Sequence, residues 1–252
     1  MPKHPIQLKN PPIIESIIEI KFNSFLPDEV VFGVFYSKVG EKYNKIEELH
    51  TSKIPKEIVE NEPSLKYAPH YVLRSEKSSL LLMIGPKVLI FKYQKHQDLT
   101  IKYPGWHDYI YNEIMDTLKQ IVSANYIKEV LRVGLRTIDF FEVKEDEDVF
   151  SNLKISINML DKDLNGLDKS VRFNIKENGF DNTIAISNNS SLIIKNELNK
   201  GATIDIDTSK EEVVSQNIEN YLSKIIESGH EINKDLFFSL LKDEYVEVLV
   251  EK

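Results

Sequence analysis

The amino-acid sequence predicts an α+β protein, built mostly from antiparallel sheets with helices on one face and divided into two subdomains. Two kinds of hydrophobic pattern lead to this prediction. Several segments alternate apolar and polar residues with a period of two, which is typical of half-buried strands. Others place apolar residues at helical spacing. Strands and helices interleave in the first half of the chain, whereas strands precede helices in the second half.

The first half reads as strand, helix, strand, strand, helix, strand. Residues 14–22 alternate and follow Pro11-Pro12, which prevents a helical start. A helix is predicted over 27–40, and prolines within 44–68 predict a loop or short helix there. The later elements are a hairpin of 80–84 and 88–93, a helix from 110 to about 124, and a strand over 130–143. This order predicts a ferredoxin-like βαββαβ subdomain with both helices on one face of its sheet.

The second half predicts an antiparallel sheet followed by two C-terminal helices. Its predicted strands cover residues 154–158, 171–176, 183–187, 192–197 and 203–207. Ser209 and Glu212 then form a capping-box pattern, which predicts the start of a helix. Gly229 is the predicted end of that helix, and the final helix starts near Ile232.

Residues 144–148 are the predicted boundary between the two subdomains, 1–143 and 144–252. The segment reads Lys-Glu-Asp-Glu-Asp and follows a strong predicted strand. The chain has a net charge of −8, and most of the excess acid lies from this segment onward. The alternative is a solvated loop inside one domain, because no linker rich in Pro, Gly or Ser accompanies the charged run.

The composition excludes several classes of chemistry. The chain of 252 residues has no cysteine, which excludes thiol nucleophiles, Cys-ligated metal sites and disulfides. No apolar stretch reaches the length of a signal-peptide core or a membrane-spanning helix, so we expect a cytoplasmic protein that does not associate with membranes. The net negative charge argues against nucleic acid as a partner, because phosphate backbones are held by clustered Lys and Arg.

Two patterns resemble metal-binding motifs, and each lacks an essential residue. Residues 161–166 match the first six positions of a calcium-binding EF-hand loop, but Arg172 stands where that loop needs a glutamate. His230 and Glu231 begin the pattern of a zinc-protease helix, but Lys234 replaces its second histidine. Neither pattern therefore predicts a bound metal.

Asp205 and Asp207 are weak candidates for a metal site. They alternate with Ile204 and Ile206, so both carboxylates project from one face of a predicted strand. Two acids placed in this way could hold a divalent ion or perform acid–base chemistry, although no histidine or third acid has a matching spacing. The sequence also contains no nucleophile elbow and no phosphate-binding glycine loop. It therefore predicts no cofactor and no catalytic residue.

The anion-binding candidates of the sequence are Arg132, Arg136 and Asp139. In a strand, Arg132, Gly134 and Arg136 share one face, and the glycine lets a ligand approach the backbone. Two guanidinium groups could then receive a phosphate or carboxylate in bidentate fashion. The alternative is an intramolecular network in which acids of a neighbouring strand, such as Glu15 or Glu19, fix the strand register.

Three blocks of the sequence resemble a sporadically distributed family of bacterial proteins of unknown function and similar length. The blocks are residues 8–22 with Pro11-Pro12-Ile13, the Tyr103-Pro104-Gly105-Trp106 block with the strand 132–139, and residues 204–207 followed by His230 and Phe237. Thr137 and Asp139 depart from the family pattern, which more usually reads Tyr-Ile-Asn after the second arginine. The resemblance implies no activity or substrate. The patchy distribution of the family implies an accessory role, as in defence or mobile-element systems.

The leading functional hypothesis is a non-enzymatic protein-interaction or regulatory module. It rests on the missing catalytic motifs and on strand edges that a partner could pair with. The alternative is a small-anion or nucleotide-binding protein, or an enzyme, that uses Arg132 and Arg136. A homodimer is also expected, because residues 88–91 and 133–140 carry apolar side chains on both faces and the predicted helices cover only one. Packing between the two halves of one chain would satisfy the same need.

Overall fold

An antiparallel sheet of nine strands forms the framework of the part of the chain that the structure describes. The computed structural model describes residues 8–9, 11–95, 102–142, 149–155, 167–194 and 197–251. The strands are β1 (Ile13–Ser24), β2 (Lys45–Glu48), β3 (Tyr71–Arg74), β4 (Leu80–Gly85), β5 (Val88–Gln94), β6 (Ile127–Glu142), β7 (Ser170–Glu177), β8 (Phe180–Ile194) and β9 (Glu197–Val214). Their order across the sheet is β2-β3-β4-β5-β1-β6-β9-β8-β7, and all neighbouring pairs are antiparallel.

Five α-helices accompany the sheet within these ranges. They are α1 (Asp28–Val39), α2 (Lys56–Asn61), α3 (Tyr111–Val122), α4 (Ile218–Leu240) and α5 (Asp243–Glu251). A π-helical turn, Trp106–Ile110, leads directly into α3. In the described part of the chain, no helix has both the length and the apolar character needed to cross a membrane.

Strand β1 lies in the middle of the sheet because its alternating sequence suits burial on one face. Ile18, Ile20 and Phe22 are almost completely buried, whereas Glu19 and Lys21 between them are partly exposed. The strand pairs with β5 on one side and β6 on the other, so both of its backbone edges are hydrogen-bonded. The strand predicted over residues 14–22 is thus confirmed.

Three helices cover the same face of the sheet. Each contributes apolar side chains at helical spacing to one cluster with β1: Val31, Phe35 and Val39 of α1, Ile114, Leu118 and Ile121 of α3, and Leu222, Ile225 and Ile226 of α4. Burying one such side chain contributes roughly 1.5–3 kcal/mol, so this shared face dominates the stability of the helix layer. We call it the covered face.

Helix α4 continues from this first cluster onto a second one. Farther along the helix, Leu236 and Phe237 pack with Ile204 and Ile206 of β9 and with Phe141 of β6. The 23-residue helix therefore spans both clusters. Between the two clusters it presents a buried polar residue, Asn233, to the sheet.

The other face of the sheet, which we call the open face, carries a ladder of ion pairs across β5, β1, β6 and β9. Acids and bases alternate along it in the pairs Lys92–Glu15 at 2.9 Å, Lys21–Glu19 at 3.5 Å, Arg132–Glu19 at 2.7 Å, Arg132–Asp207 at 3.6 Å and Arg136–Asp205 at 2.5 Å. The ladder joins four neighbouring strands through their side chains, in addition to their backbone hydrogen bonds.

The predicted ferredoxin-like βαββαβ subdomain is wrong, although the α+β class is confirmed. The strands assigned to that subdomain belong to a larger sheet, which continues through β3 and β2 on one side and through β9, β8 and β7 on the other. The physical reason is the length of β6, whose 16 residues pair with β1 and also offer β9 a second edge. An unpaired edge of that length would expose a long row of backbone donors and acceptors. The boundary segment 144–148 lies outside the described residues, and the sheet joins the two halves of the chain.

Long-range pairing also overrides two local signals in the second half. Ser209 and Glu212 lie within β9 instead of opening a helix, and α4 begins only at Ile218. The pairing of β9 with β6 extends as far as Val214, and these inter-strand hydrogen bonds outweigh the local capping pattern. Gly229 does not end a helix either, since it lies inside α4. The local capping pattern is therefore wrong because the segment pairs in the sheet, and a single glycine does not end the 23-residue helix.

Candidate ligand-binding cleft

A cleft of about 780 Å³ opens between the π-helical turn, α4 and the end of β6. Its inner surface includes Tyr103, Trp106, Thr137, Asp139, His230 and Asn233. The two hydrophobic clusters border it, with Trp106 in the first and Phe237 in the second. Small-molecule sites commonly have volumes of about 300–1,000 Å³, so the cleft has a suitable size for an organic ligand.

An aromatic pair forms one wall of the cleft. The rings of Trp106 and His230 stack with their centroids 4.1 Å apart and their planes 8° from parallel. Burial lowers the pKa of His230 to about 3, and Lys234 and His107 act in the same direction. The imidazole is therefore neutral at neutral pH. Its ring nitrogens have no hydrogen-bond partner among the described residues, so one donor and one acceptor remain for a ligand.

The Tyr103-Pro104-Gly105-Trp106 block places the indole in this wall. Gly105 has φ +89°, a conformation that L side chains rarely adopt. A Cβ at this position would also lie 2.9 Å from Oδ2 of Asp108. The backbone N–H of Ile110 donates to the Gly105 carbonyl at 3.1 Å and closes the π-helical turn. Turns of this kind are frequent at functional sites.

Hydrogen bonds between α4 and the sheet form the floor of the cleft. Thr137 Oγ1 donates to Asn233 Oδ1 at 2.7 Å, and Asn233 Nδ2 donates to the Ile206 carbonyl at 2.9 Å. The same Nδ2 lies 3.5 Å from Thr208 Oγ1. These groups are buried, so their bonds fix the position of α4 on β6 and β9. The amide of Asn233 is thus already used by the protein.

Asp139 lies at the cleft with only 5% of its surface exposed. Its carboxyl group has no hydrogen-bond or ion-pair partner among the described residues. Burial raises its pKa to about 8, and the negative charge of Asp205 contributes in the same direction. The nearby phenol of Tyr103 has its pKa raised by burial and by the neighbouring Tyr93 and Asp139, so it remains protonated. Among the residues that the structure describes, none acts as a counterion to this buried acid.

The mouth of the cleft is cationic, in contrast with the chain as a whole. Among the described residues that line the cleft, Lys9, Lys102 and Lys234 are basic, and Asp108 and the buried Asp139 are acidic. The whole chain carries a net charge of −8. The cleft is therefore a local positive region on an acidic protein, and such a region attracts anionic groups.

The carboxylate of Glu227 contacts the aromatic wall. Glu227 accepts a hydrogen bond from the indole N–H of Trp106 at 3.2 Å and lies 3.3 Å from Nε2 of His107. Ligand atoms of His107, Glu227 and Glu231 lie within 4.8 Å of one another, so these three could bind a divalent ion. Glu227 already contacts Trp106 of the wall and the adjacent His107, which accounts for its position without an ion.

The structure separates the three anion-binding candidates of the sequence. Arg132 and Arg136 lie on the open face, whereas Asp139 lies on the covered face. Arg132 bridges Glu19 and Asp207, while Arg136 donates two hydrogen bonds to the carboxylate of Asp205, at 2.8 Å and 2.5 Å. Both guanidinium groups therefore already have carboxylate partners.

The weak metal candidates belong to the same ladder. Asp205 and Asp207 lie on one face of β9, opposite Ile138 and Arg136 of β6. Burial raises the pKa of Asp207, while the charges of Arg132 and Arg136 oppose that rise. Each carboxylate therefore pairs with an arginine, and the two do not form a shared site for a metal ion. Residues 161–166, which resemble the start of a calcium-binding loop, lie outside the described residues.

Residues from all three sequence blocks of the family resemblance line the cleft. Pro11 and Pro12 come from the first block, Tyr103 and Trp106 from the second, and His230 from the third. Sequence reasoning did not select Tyr103, Trp106, His230 or Asn233 as site residues. The signal that could have found them is the co-occurrence of the blocks, because the fold brings together segments that are far apart in the chain.

Comparisons with known proteins add no further assignment. Neither a scan against protein-family models nor a search of curated proteins finds a match to this chain. The functional conclusion therefore rests on the geometry of the cleft.

Proposed function

We propose that this protein is a non-enzymatic binding module of the regulatory kind, and that its cleft holds a small organic ligand. The observation that carries the proposal is the buried carboxyl group of Asp139, which has no partner among the described residues. A buried polar group without a partner costs about 1–3 kcal/mol, and more when it is charged. A ligand that donates hydrogen bonds would remove this cost.

The fold itself does not require an acid at this position. Leu135 and Phe141, two residues away along the covered face of β6 on either side of Thr137 and Asp139, are buried and apolar. An apolar residue at position 139 would extend that surface and avoid the desolvation of a carboxyl group. Residues that lower stability in this way are typical of functional sites.

The other cleft residues support ligand binding. The aromatic wall of Trp106 and His230 offers an apolar surface with one imidazole donor and one acceptor. The floor is held rigid by Asn233, which binds two strands at once. Pockets that bind small molecules combine these features: apolar walls, few polar groups and a framework that is already formed.

Membership of the bacterial family and formation of a homodimer are two further proposals. If the chain belongs to the sporadically distributed bacterial family, the convergence of the three blocks on the cleft makes ligand binding its shared property. In a regulatory module, ligand binding would change the affinity of the protein for a protein partner or for a second copy of the chain. Light scattering at micromolar concentrations tests the dimer, and a mass near 29 kDa would rule it out.

Trp106 provides a direct test, because it is the one tryptophan in the chain. Its fluorescence should change when a small molecule enters the cleft. A panel of nucleotides, amino acids, polyamines and sugar phosphates would be titrated into the wild-type protein and into Asp139→Asn. We expect saturable changes with at least one class, weakened in the variant, while Asp181→Asn on the exposed surface binds normally. If no class of the panel changes the emission, the proposed function is wrong.

A further inference from the structure

Asp139 determines the donor groups that the ligand must present. The raised pKa keeps Asp139 mostly protonated in the free protein at neutral pH, and a ligand that brings suitable donors favours the ionised form, which has two acceptor oxygens and no donor. It becomes tolerable in a buried site when a cation or two N–H groups lie beside it. In the described residues, no side chain supplies such a group to Asp139. A ligand that binds the ionised form therefore carries either a positive charge or two adjacent N–H donors at this position.

The charge of the mouth decides between these two possibilities. Lys102 and Lys234 line the cleft, and they would repel a ligand with a net positive charge. Lys234 lies 4.0 Å from Glu231, an exposed pair that leaves much of the lysine charge available. Ammonium and guanidinium ligands are thus disfavoured, whereas a ligand with a negatively charged tail is attracted.

The walls favour a flat ligand body. His230 and Phe237 of α4 line the cleft together with Trp106 of the π-helical turn and Tyr103, which precedes that turn. Aromatic side chains bind planar heterocycles through contacts that depend little on the identity of the ring. A ligand with two adjacent N–H donors, a planar ring and an anionic tail therefore matches the donor, wall and mouth of the same cleft.

We infer that the cleft binds a guanine nucleotide, an inference that rests on the proposed function of this site. The guanine edge carries a ring N–H next to an exocyclic amino group, and one carboxylate accepts hydrogen bonds from both in bidentate fashion. With this edge at Asp139, the purine lies along the aromatic wall and the phosphate is positioned for Lys102 and Lys234. Adenine and cytosine do not present this pair of donors.

Titration of Trp106 emission with four probes tests the inference: GMP, AMP, guanosine and inorganic phosphate. We expect GMP to bind best and AMP at least about tenfold more weakly, because a site built to accept N–H groups rejects an analogue that lacks them. Guanosine should bind about tenfold more weakly than GMP, since it lacks the phosphate that the lysines attract. Inorganic phosphate alone should leave the emission unchanged. Equal affinity for GMP and AMP would overturn the inference.

Variants assign each preference to its residues. In Asp139→Asn, the ratio of GMP to AMP affinity should fall to about one, because the amide offers one acceptor where the carboxylate offers two. In Lys102→Ala/Lys234→Ala, GMP should bind no better than guanosine, while guanosine binding is retained. The charge-matched double variant Lys45→Ala/Lys176→Ala, on exposed sites of β2 and β7, should bind all four probes as the wild type does.

Proton release provides a second measurement that needs no variant. Binding of N–H donors favours the ionised form of Asp139, so GMP binding at pH 7 should release protons, seen by calorimetry in buffers of different ionisation enthalpy. Two groups influence this release directly: Tyr103, which lies near Asp139, and Asp205, whose charge acts on Asp139 from the open face. The other charged or titratable groups that line the cleft are Lys9, Lys102, Lys234, His107, His230 and Asp108. GMP binding without proton release would place the guanine away from Asp139 and contradict the inference.

The two proposals fail in different ways. If another class of molecule changes Trp106 emission in a manner that depends on Asp139, and GMP does not, the guanine inference is wrong and the ligand-binding function stands. If neither GMP nor any other class of the panel changes the emission, both are wrong.

Discussion

The ionisable side chains on the two faces of β6 differ in whether they have partners. On the open face, Arg132 and Arg136 each have carboxylate partners from a neighbouring strand. On the covered face, Asp139 is more deeply buried and has no partner among the described residues. The strand is the same and the two kinds of charge are only a few residues apart, so the difference does not come from backbone geometry.

This difference distinguishes a structural charge from a functional one. A charge whose partners are already present contributes to register and stability, and it has little left to offer a ligand. A buried acid without a partner lowers stability once it ionises, and it gains a partner only when a ligand arrives. The arginines, which are chemically conspicuous in the sequence, belong to the first kind, and Asp139 belongs to the second.

Replacing the unpaired acid should have the largest effect. Because burial raises the pKa of Asp139 in the folded state to about 8, the folded protein holds a proton that the unfolded chain releases above about pH 4. Stability should therefore fall as pH rises from about 4 to about 8, at up to about 1.4 kcal/mol per pH unit. Asp139→Asn removes this dependence and should raise the free energy of unfolding at pH 7 by roughly 2–4 kcal/mol.

Urea unfolding of wild type and Asp139→Asn at pH 5, 6, 7 and 8 measures this effect. The gain should grow with pH, and Asp181→Asn, an exposed acid on β8, should show no comparable gain. A loss of stability in Asp139→Asn at every pH would mean that the carboxyl group has a partner in the folded protein.

The floor of the cleft should give the next largest effect. Asn233→Ala leaves the Ile206 carbonyl and the Thr137 hydroxyl without their buried partner, so we expect a loss of about 1–3 kcal/mol in unfolding free energy. Denaturant melts followed by circular dichroism measure it. Asn220→Ala, an exposed position on the same helix, should remain within about 0.5 kcal/mol of the wild type. Equal effects of the two variants would show that the floor bonds add nothing.

The inner arginine of the ladder should matter less. Arg132 is mostly buried between Glu19 and Asp207, so Arg132→Ala should lower the unfolding free energy by about 1–2 kcal/mol. A double-mutant cycle with Glu19→Ala isolates the pair, and Lys128→Ala on β6 is the exposed control. A coupling energy of zero would show that the Arg132–Glu19 pair does not contribute to stability.

The outer arginine should give the smallest effect. Arg136 makes a bidentate contact with Asp205, but 46% of its side chain is exposed to solvent. Arg136→Ala should therefore cost less than about 1 kcal/mol, and the difference should shrink further in high salt. Thermal melts at low and high ionic strength test this, and a loss that is large and independent of salt would contradict it.

Sequence patterns predicted the elements whose signal is local. The period of two in residues 14–22 located β1, and helical spacing located α1 and α3. The extent of β9 could not be predicted in this way, because Ser209 and Glu212 fit a helix cap locally and are extended only through pairing with β6. The nine-stranded sheet likewise depends on which edges meet, and that information lies in no single segment.

The candidate site was partly accessible from the sequence. Positions 136 and 139 differ by an odd number, so the period of a strand already places Arg136 and Asp139 on opposite faces. The sequence could not show that α4 crosses β6 at this point, because the Asn233–Thr137 bond joins residues 96 positions apart. The stacking of Trp106 on His230 depends on the same crossing.

The central position of β1 has a consequence for synthesis of the protein. The strand is synthesised before β6, and its Glu19 meets Arg132, a residue 113 positions later in the chain. At about 5–20 residues per second, the emerging strand waits several seconds for β6. Until β6 is synthesised, the edge of this alternating apolar strand that β6 will pair with is free and prone to aggregate. Glu15, Glu19 and Lys21 then act as charged gatekeepers that keep the nascent segment soluble, before the same side chains join the ladder of the finished sheet.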